Sequence, residues 1–177
     1  MLLDLVEKRR SIRKFTDEEV SEEDLREILT IALHAPTAKN RNPVRYIVIK
    51  DKKRLEELSD FKVNSAKFLK DANVAIAVVT DTEIAPNTNH QDASIVATYI
   101  LLAAADLDLG ATWVNVTDSK HKSGIYAQEF LHKFFDLEDK FDVECIIGLG
   151  HPAEEKSEKV PFDYSENVFE DLHDKLK

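Results

Sequence analysis

The sequence predicts a single domain in which helices and strands are interspersed, of the α/β or α+β class. Three observations predict it. Apolar residues recur at helical spacing in several segments, and short β-branched runs stand between them. One long segment, from about His90 to Leu107, is apolar on almost every side. A chain of 177 residues is long enough for one domain with a sizeable core.

The elements follow in order. Leu2–Arg10 reads as a short helix with Leu2, Leu5 and Val6 on one face. Ser21-Glu22-Glu23-Asp24 resembles a capping box, with Asp in place of Glu. Leu25, Ile28, Leu29, Ala32 and Leu33 then continue at helical spacing, and Pro36 stops that helix near His34. A polar loop, Pro36–Pro43, leads into a strand at Val44–Ile49. Lys52–Leu58 and Ser65–Asp71 read as short helices. Val74–Thr80 (VAIAVVT) is the pattern of a strand buried on both faces. After a loop at Thr82–Asn89 comes the long apolar helix, which needs cover all round, from the fold's centre or from a second subunit. Gly110 is placed to stop it. Ala111–Val116 is a third strand, Ser123–Phe135 an amphipathic helix, and Val143–Leu149 a fourth strand. From about residue 160 to 177 the chain reads as a C-terminal arm with anchors at Phe162, Val168, Phe169 and Leu172.

Charge and composition exclude several classes. The net charge of −10 argues against non-specific nucleic-acid binding. No apolar run is long enough for a membrane span. The N-terminus has the wrong charge order for a secretory signal. A single cysteine, Cys145, suits a reducing cytoplasm and sits in an apolar strand as a core residue. The six histidines lack metal-ligand spacing, and with four glycines and no G-x-G-x-x-G a Rossmann domain is not expected. The charge is uneven: residues 1–54 carry a net +3 and all seven arginines, and the remainder a net −13.

Three segments could carry chemistry. Arg9-Arg10-Ser11-Ile12-Arg13-Lys14-Phe15 gathers guanidiniums and a hydroxyl where a helix gives way to extended chain. Such a cluster can hold a phosphate through forked, charge-assisted hydrogen bonds, although a basic septamer can equally be a solvated face. The loop Ala35–Pro43 offers small and amide side chains that can address a heterocycle. Trp113-Val114-Asn115-Val116 leaves a helix–Gly–strand unit with a backbone N–H that could meet a ligand.

Together these segments resemble the nitroreductase family of flavin-dependent oxidoreductases. The opening is similar to the family's Arg-Arg-Ser-x-Arg-x-Phe motif, and Ala35–Pro43 to its Ala-Pro-Ser-Ala-x-Asn-x-Gln-Pro loop. Gln91-Asp92-Ala93, Leu109-Gly110-Ala111-Thr112-Trp113-Val114 and Ile146–Pro152 resemble its central helix, its Leu-Gly-x-x-Trp-Ile strand and its late Ile-Gly-Tyr-Pro turn.

The resemblance implies an α+β fold with a mixed central sheet flanked by helices and a domain-swapped C-terminal arm. It implies FMN at a homodimer interface, reduced by NADH or NADPH through flavin N5, with a nitroaromatic, quinone or similar small molecule as acceptor. No side-chain catalyst is required. Arg9, Arg10 and Ser11 are expected at the phosphate and ribityl end, and Arg13 near the N1/O2 edge. Pro36, Thr37, Ala38 and Asn40 are expected to reach the flavin of the other subunit, and Asn64 to address the pyrimidine. Asn115 and the Val116 backbone are expected near N5. Three positions depart from the family pattern: Asn115-Val116 over N5, Val44 after the loop proline, and the absence of Arg after the late turn, where Lys156 or Lys159 is the candidate substitute. The alternative reading is a flavin- or ligand-binding homodimer without efficient turnover. No insertion long enough for a lid supports a flavin-fragmenting or dehalogenating branch.

Overall fold

The computed structural model describes residues 1–160 and 162–170. Its centre is the apolar run at residues 74–81. This strand, β2 (Val74–Asp81), is buried at every position. Val74, Ile76 and Val78 face one core, and Ala75, Ala77 and Val79 face the other. The period of two thus supplies both faces from one strand. Beside it lie β1 (Val44–Ile49), β4 (Phe141–Gly150) and β3 (Gly110–Asn115), in the order β1-β2-β4-β3. All three ladders are antiparallel. The parallel component of the expected mixed sheet is a single bridge, Ser11 to Ala111.

Helices cover both faces, as an α+β sheet with two apolar sides requires. On one side lie α2 (Glu22–Leu33) and α4 (Asn89–Asp106), whose Ile28, Val96 and Ile100 pack on Ile76, Cys145 and Ile147. On the other lie α3 (Lys52–Leu58), a 3-10 turn at Lys67–Asp71 and α5 (Ala127–Phe135), contributing Leu55, Leu58, Leu69 and Leu131. The Ser21 cap forms as expected: its hydroxyl oxygen accepts the Asp24 N–H at 3.0 Å, and α2 ends with His34 as C-cap.

Several boundaries differ, for local reasons. The first helix, α1 (Leu2–Lys8), releases the chain at Arg9, which adopts φ −58°, ψ 123°. The amphipathic helix begins at Ala127 rather than Ser123, because Gly124 takes φ +90° and Lys120 bridges Tyr126 in a small loop. Helix α4 is ended by left-handed Asp108 at φ 58°, not by Gly110. Gly110 is needed for a different reason. A Cβ there would stand 2.7 Å from Ile12 Cγ2, so glycine lets the N-terminal segment cross β3.

The all-apolar helix is only partly satisfied within one chain. Ala93, Val96, Ala97, Ile100 and Ala104 are buried, whereas Ile95 is 39% exposed. Tyr99 and Leu101 are half-buried. The arm carries a short helix, α6 (Tyr164–Asn167), and leaves Phe162 and Tyr164 exposed. The anchor expected at Leu172 lies outside the described residues. Among the described residues no helix is long and apolar enough to cross a membrane.

Candidate functional site

The arginine cluster lies on a strip of extended chain held at several points. The Ile12 N–H donates to Ala111 O at 3.2 Å, and the Thr112 hydroxyl donates to Ile12 O at 2.6 Å. Beyond it the Arg13 N–H donates to Glu154 Oε1 at 2.7 Å, the Ala153 N–H to Lys14 O at 2.9 Å, and the Thr16 N–H to His151 O at 2.9 Å. The strip is therefore pinned between the start of β3 and the chain leaving β4. Arg9, Arg10 and Ser11 are half-buried, and Arg13 is exposed.

The two lysines differ in their surroundings. Lys156 is taken by Glu154 Oε2 at 2.6 Å. Lys159 instead comes beside Arg9 and Arg10 and donates to Val6 O. Burial and the two guanidiniums push its ammonium below its ordinary value, with Glu7 the opposing charge. Arg10 Nη1 is buried with no hydrogen-bond partner among the described residues. A buried guanidinium nitrogen without an acceptor, beside two further cations, is a donor set that fits a phosphate.

The Pro36–Asn40 segment is organised by α4. Buried Asp92 accepts the Ala38 N–H at 2.7 Å and the Thr88 hydroxyl at 3.1 Å. Lys39, Asn40 and Asn42 take φ of 55°, 54° and 50°, which presents the loop outward. Thr37 and Asn42 lock it through bonds of 3.0 and 3.1 Å. Pro36 and Asn40 are exposed, and Thr37 and Ala38 half-buried. No hydrogen bond or ion pair among the described residues joins this loop to the arginine strip.

Asn64 is exposed and shares a cleft with Lys62, Thr117, Asp118 and Ser119. Lys62 Nζ donates to Asn115 O at 3.1 Å, tying the Asn64 loop to the end of β3. Lys67 and Lys122 both pair with Asp60, which closes the same region from behind. These two partners, Lys122 first, hold the Asp60 carboxyl down at about 2.

The backbone is paired just beyond the end of β3. The Val116 N–H donates to Glu144 O at 3.2 Å, and Val116 is 2% exposed. That amide is already paired within the sheet. This bond continues the β3–β4 register, in which Val114 pairs with Ile146 and Asn115 with Cys145. On its other edge β4 carries a β-bulge: Val78 pairs with Cys145 and Val79 with Val143, leaving Glu144 as the extra residue against β2.

Sequence reasoning missed Glu154 and the pair formed by His90 and Glu144. The carboxylate of Glu144 meets His90 Nδ1 at 2.7 Å. Glu154 sits in a uniformly charged segment, and the bulge that redirects Glu144 has no local signal. Cys145 is buried in the core, and burial followed by the neighbouring Glu144 drives its thiol well above its ordinary value, so it is no nucleophile. No group of metal-ligating side chains occurs among the described residues.

The two-sided sheet, the pinned arginine strip and the outward loop define one class of protein. Residues 6–67 and 57–151 match the model of the Nitroreductase family, and the chain belongs to that family. An FMN-dependent nitroreductase from Clostridium difficile R20291 is 36% identical, with a TM-score of 0.91 over 96% of this chain and 99% of that one. A protein of Methanothermobacter thermautotrophicus, named provisionally as an NADH dehydrogenase/NAD(P)H nitroreductase, is 35% identical over 164 residues, which is 92% of this chain and 83% of the relative. A provisionally named nitroreductase from Desulfovibrio desulfuricans, solved in complex with FMN, is 30% identical with a TM-score of 0.79 over 97% of each chain.

Proposed function

We propose that the chain is an FMN-dependent NAD(P)H oxidoreductase that works as a homodimer and passes hydride to a nitroaromatic, quinone or similar acceptor. The observation that carries this reading is the unpartnered, buried Arg10 Nη1 beside Arg9 and Lys159. An FMN phosphate supplies the missing acceptor, and the names of the relatives above support the same cofactor.

When bound, FMN supplies the two-electron chemistry through N5. The protein's residues bind and orient it. Arg9, Arg10, Ser11 and Lys159 hold the phosphate end, and Lys159 fills the place for which the late segment has no arginine. Arg13, on the exposed side of the strip, offers a cation to the N1/O2 edge, where reduction builds negative charge. Asn64 and Asn115 border the ring from the loop joined to β3. Pro36, Thr37, Ala38 and Asn40 reach the flavin of a second copy, in keeping with the absence, among the described residues, of any hydrogen bond or ion pair from this loop to the strip of its own chain. Exposed Ile95 on α4 and the exposed Phe162, Tyr164 and Val168 of the arm supply the dimer surface, lying against the partner.

The paired Val116 N–H favours the second reading, a flavin-binding homodimer without efficient turnover. Anaerobic mixing of the FMN-loaded protein with NADH or NADPH separates the two. Bleaching of the flavin is expected for the oxidoreductase, and persistent yellow for the binding protein.

A further inference from the structure

We infer that His90 is the proton donor to the acceptor and that Glu144 is its positioning residue. This rests on the oxidoreductase reading above.

The geometry begins with the bulge in β4. Glu144 is the unpaired residue there, 7% exposed, so its carboxylate is turned into a largely apolar setting and needs a partner. Its partner is the imidazole of His90, in the first turn of α4, with Nδ1 at 2.7 Å from Oε2. The Ser94 hydroxyl donates to Oε1 at 3.5 Å. With Nδ1–H given to the carboxylate, Nε2 is the nitrogen left over, and it has no partner among the described residues. The His90 side chain is 59% exposed, so Nε2 is accessible.

His90 lines a cavity of about 220 Å³ together with Val116, Thr117, Tyr126, Gln128 and Asp142. The cavity shares Thr117, Asp118 and Ser119 with the Asn64 cleft, which the oxidoreductase reading sets at the flavin ring. Glu144 thus holds both parts at once: its backbone oxygen fixes the Val116 amide, and its carboxylate fixes the imidazole. The other titratable groups facing the cavity are Asp142 on β4, Asp118 after β3 and Tyr126 before α5. Asp142 accepts from Gln128 Nε2 at 2.8 Å. On α4 itself, Asp92 is engaged by Ala38 and Thr88. An imidazole is the side chain that most often delivers a proton in catalysis.

The balance is simple for a quinone. The hydride brings two electrons and one hydrogen, and quinol formation requires one more proton. The His90 Nε2–H bond breaks and an O–H bond forms on the acceptor. The imidazole is left neutral, still donating through Nδ1 to Glu144, and solvent returns the proton.

The test compares two acceptors in the FMN-loaded protein reduced anaerobically by NADH. Menadione needs the proton, and ferricyanide takes electrons without one. His90→Gln and Glu144→Gln are expected to lower the menadione rate relative to the ferricyanide rate, by about 100-fold for His90→Gln at neutral pH. The pH dependence of that ratio should flatten. Equal losses with both acceptors, or an unchanged ratio, overturn the inference while leaving the oxidoreductase reading intact. A wild-type flavin that NADH and NADPH fail to reduce overturns both. Independently of turnover, long-range 1H–15N spectra should show the neutral imidazole protonated at Nδ1, and the opposite tautomer contradicts the inference.

Discussion

Glu154 accepts the Arg13 backbone N–H at 2.7 Å through one oxygen and pairs with Lys156 at 2.6 Å through the other. One carboxylate thereby fastens the arginine strip to the chain leaving β4 and keeps Lys156 out of the cationic cluster. Lys159→Ala is therefore expected to weaken FMN binding about tenfold, whereas Lys156→Ala leaves it nearly unchanged. Fluorescence titration of the apoprotein with FMN measures both. Equal effects would remove the distinction between the two lysines.

Arg10→Ala should cost more, about 1.5–3 kcal/mol of FMN binding, because a charge-assisted bond from a largely desolvated nitrogen is lost. Riboflavin, which lacks the phosphate, should bind wild type and variant alike. The FMN-to-riboflavin affinity ratio reads the phosphate assignment directly.

The crossing of the N-terminal strip over β3 depends on Gly110. In Gly110→Ala the new methyl would meet Ile12 Cγ2 at 2.7 Å and Cβ at 2.8 Å. A β-branched neighbour cannot turn aside, so a loss of roughly 1–3 kcal/mol is expected in urea unfolding, with weaker FMN binding as the strip shifts.

Asp60 gives a pH signature. Lys122 and Lys67 hold its carboxyl at about 2 from an ordinary 3.8. A depressed carboxylate contributes stability that is complete above 3.8 and is lost as pH falls through about 2. The melting-temperature difference between wild type and Asp60→Asn should therefore be flat near neutrality and disappear at the acid end. A difference that grows toward acid would contradict the assignment.

Much of this was legible in the sequence because the relevant forces are local. The apolar run at Val74–Thr80 announced a strand with two buried faces, and Ser21 with Asp24 announced a helix start. The arginine strip and the Ala35–Pro43 loop stood out as motifs, and Asn115 with Val116 followed from the strand. What stayed hidden depends on register and long-range contact. The bulge at Glu144 exists only once β2 and β4 are paired, and the meeting of its carboxylate with His90 depends on it. The role of Gly110 was misread because its reason, the passage of Ile12, comes from residues far away in the chain. Choosing Lys159 over Lys156 likewise required Glu154 to be in place.

The most direct measurement is a flavin titration of the purified apoprotein followed by anaerobic addition of NADH or NADPH. Saturable uptake of FMN, discrimination against riboflavin and bleaching by the nicotinamide are the expected results. A protein that remains colourless with excess FMN, or that binds riboflavin as well as FMN, would contradict the phosphate site on which the proposed function stands.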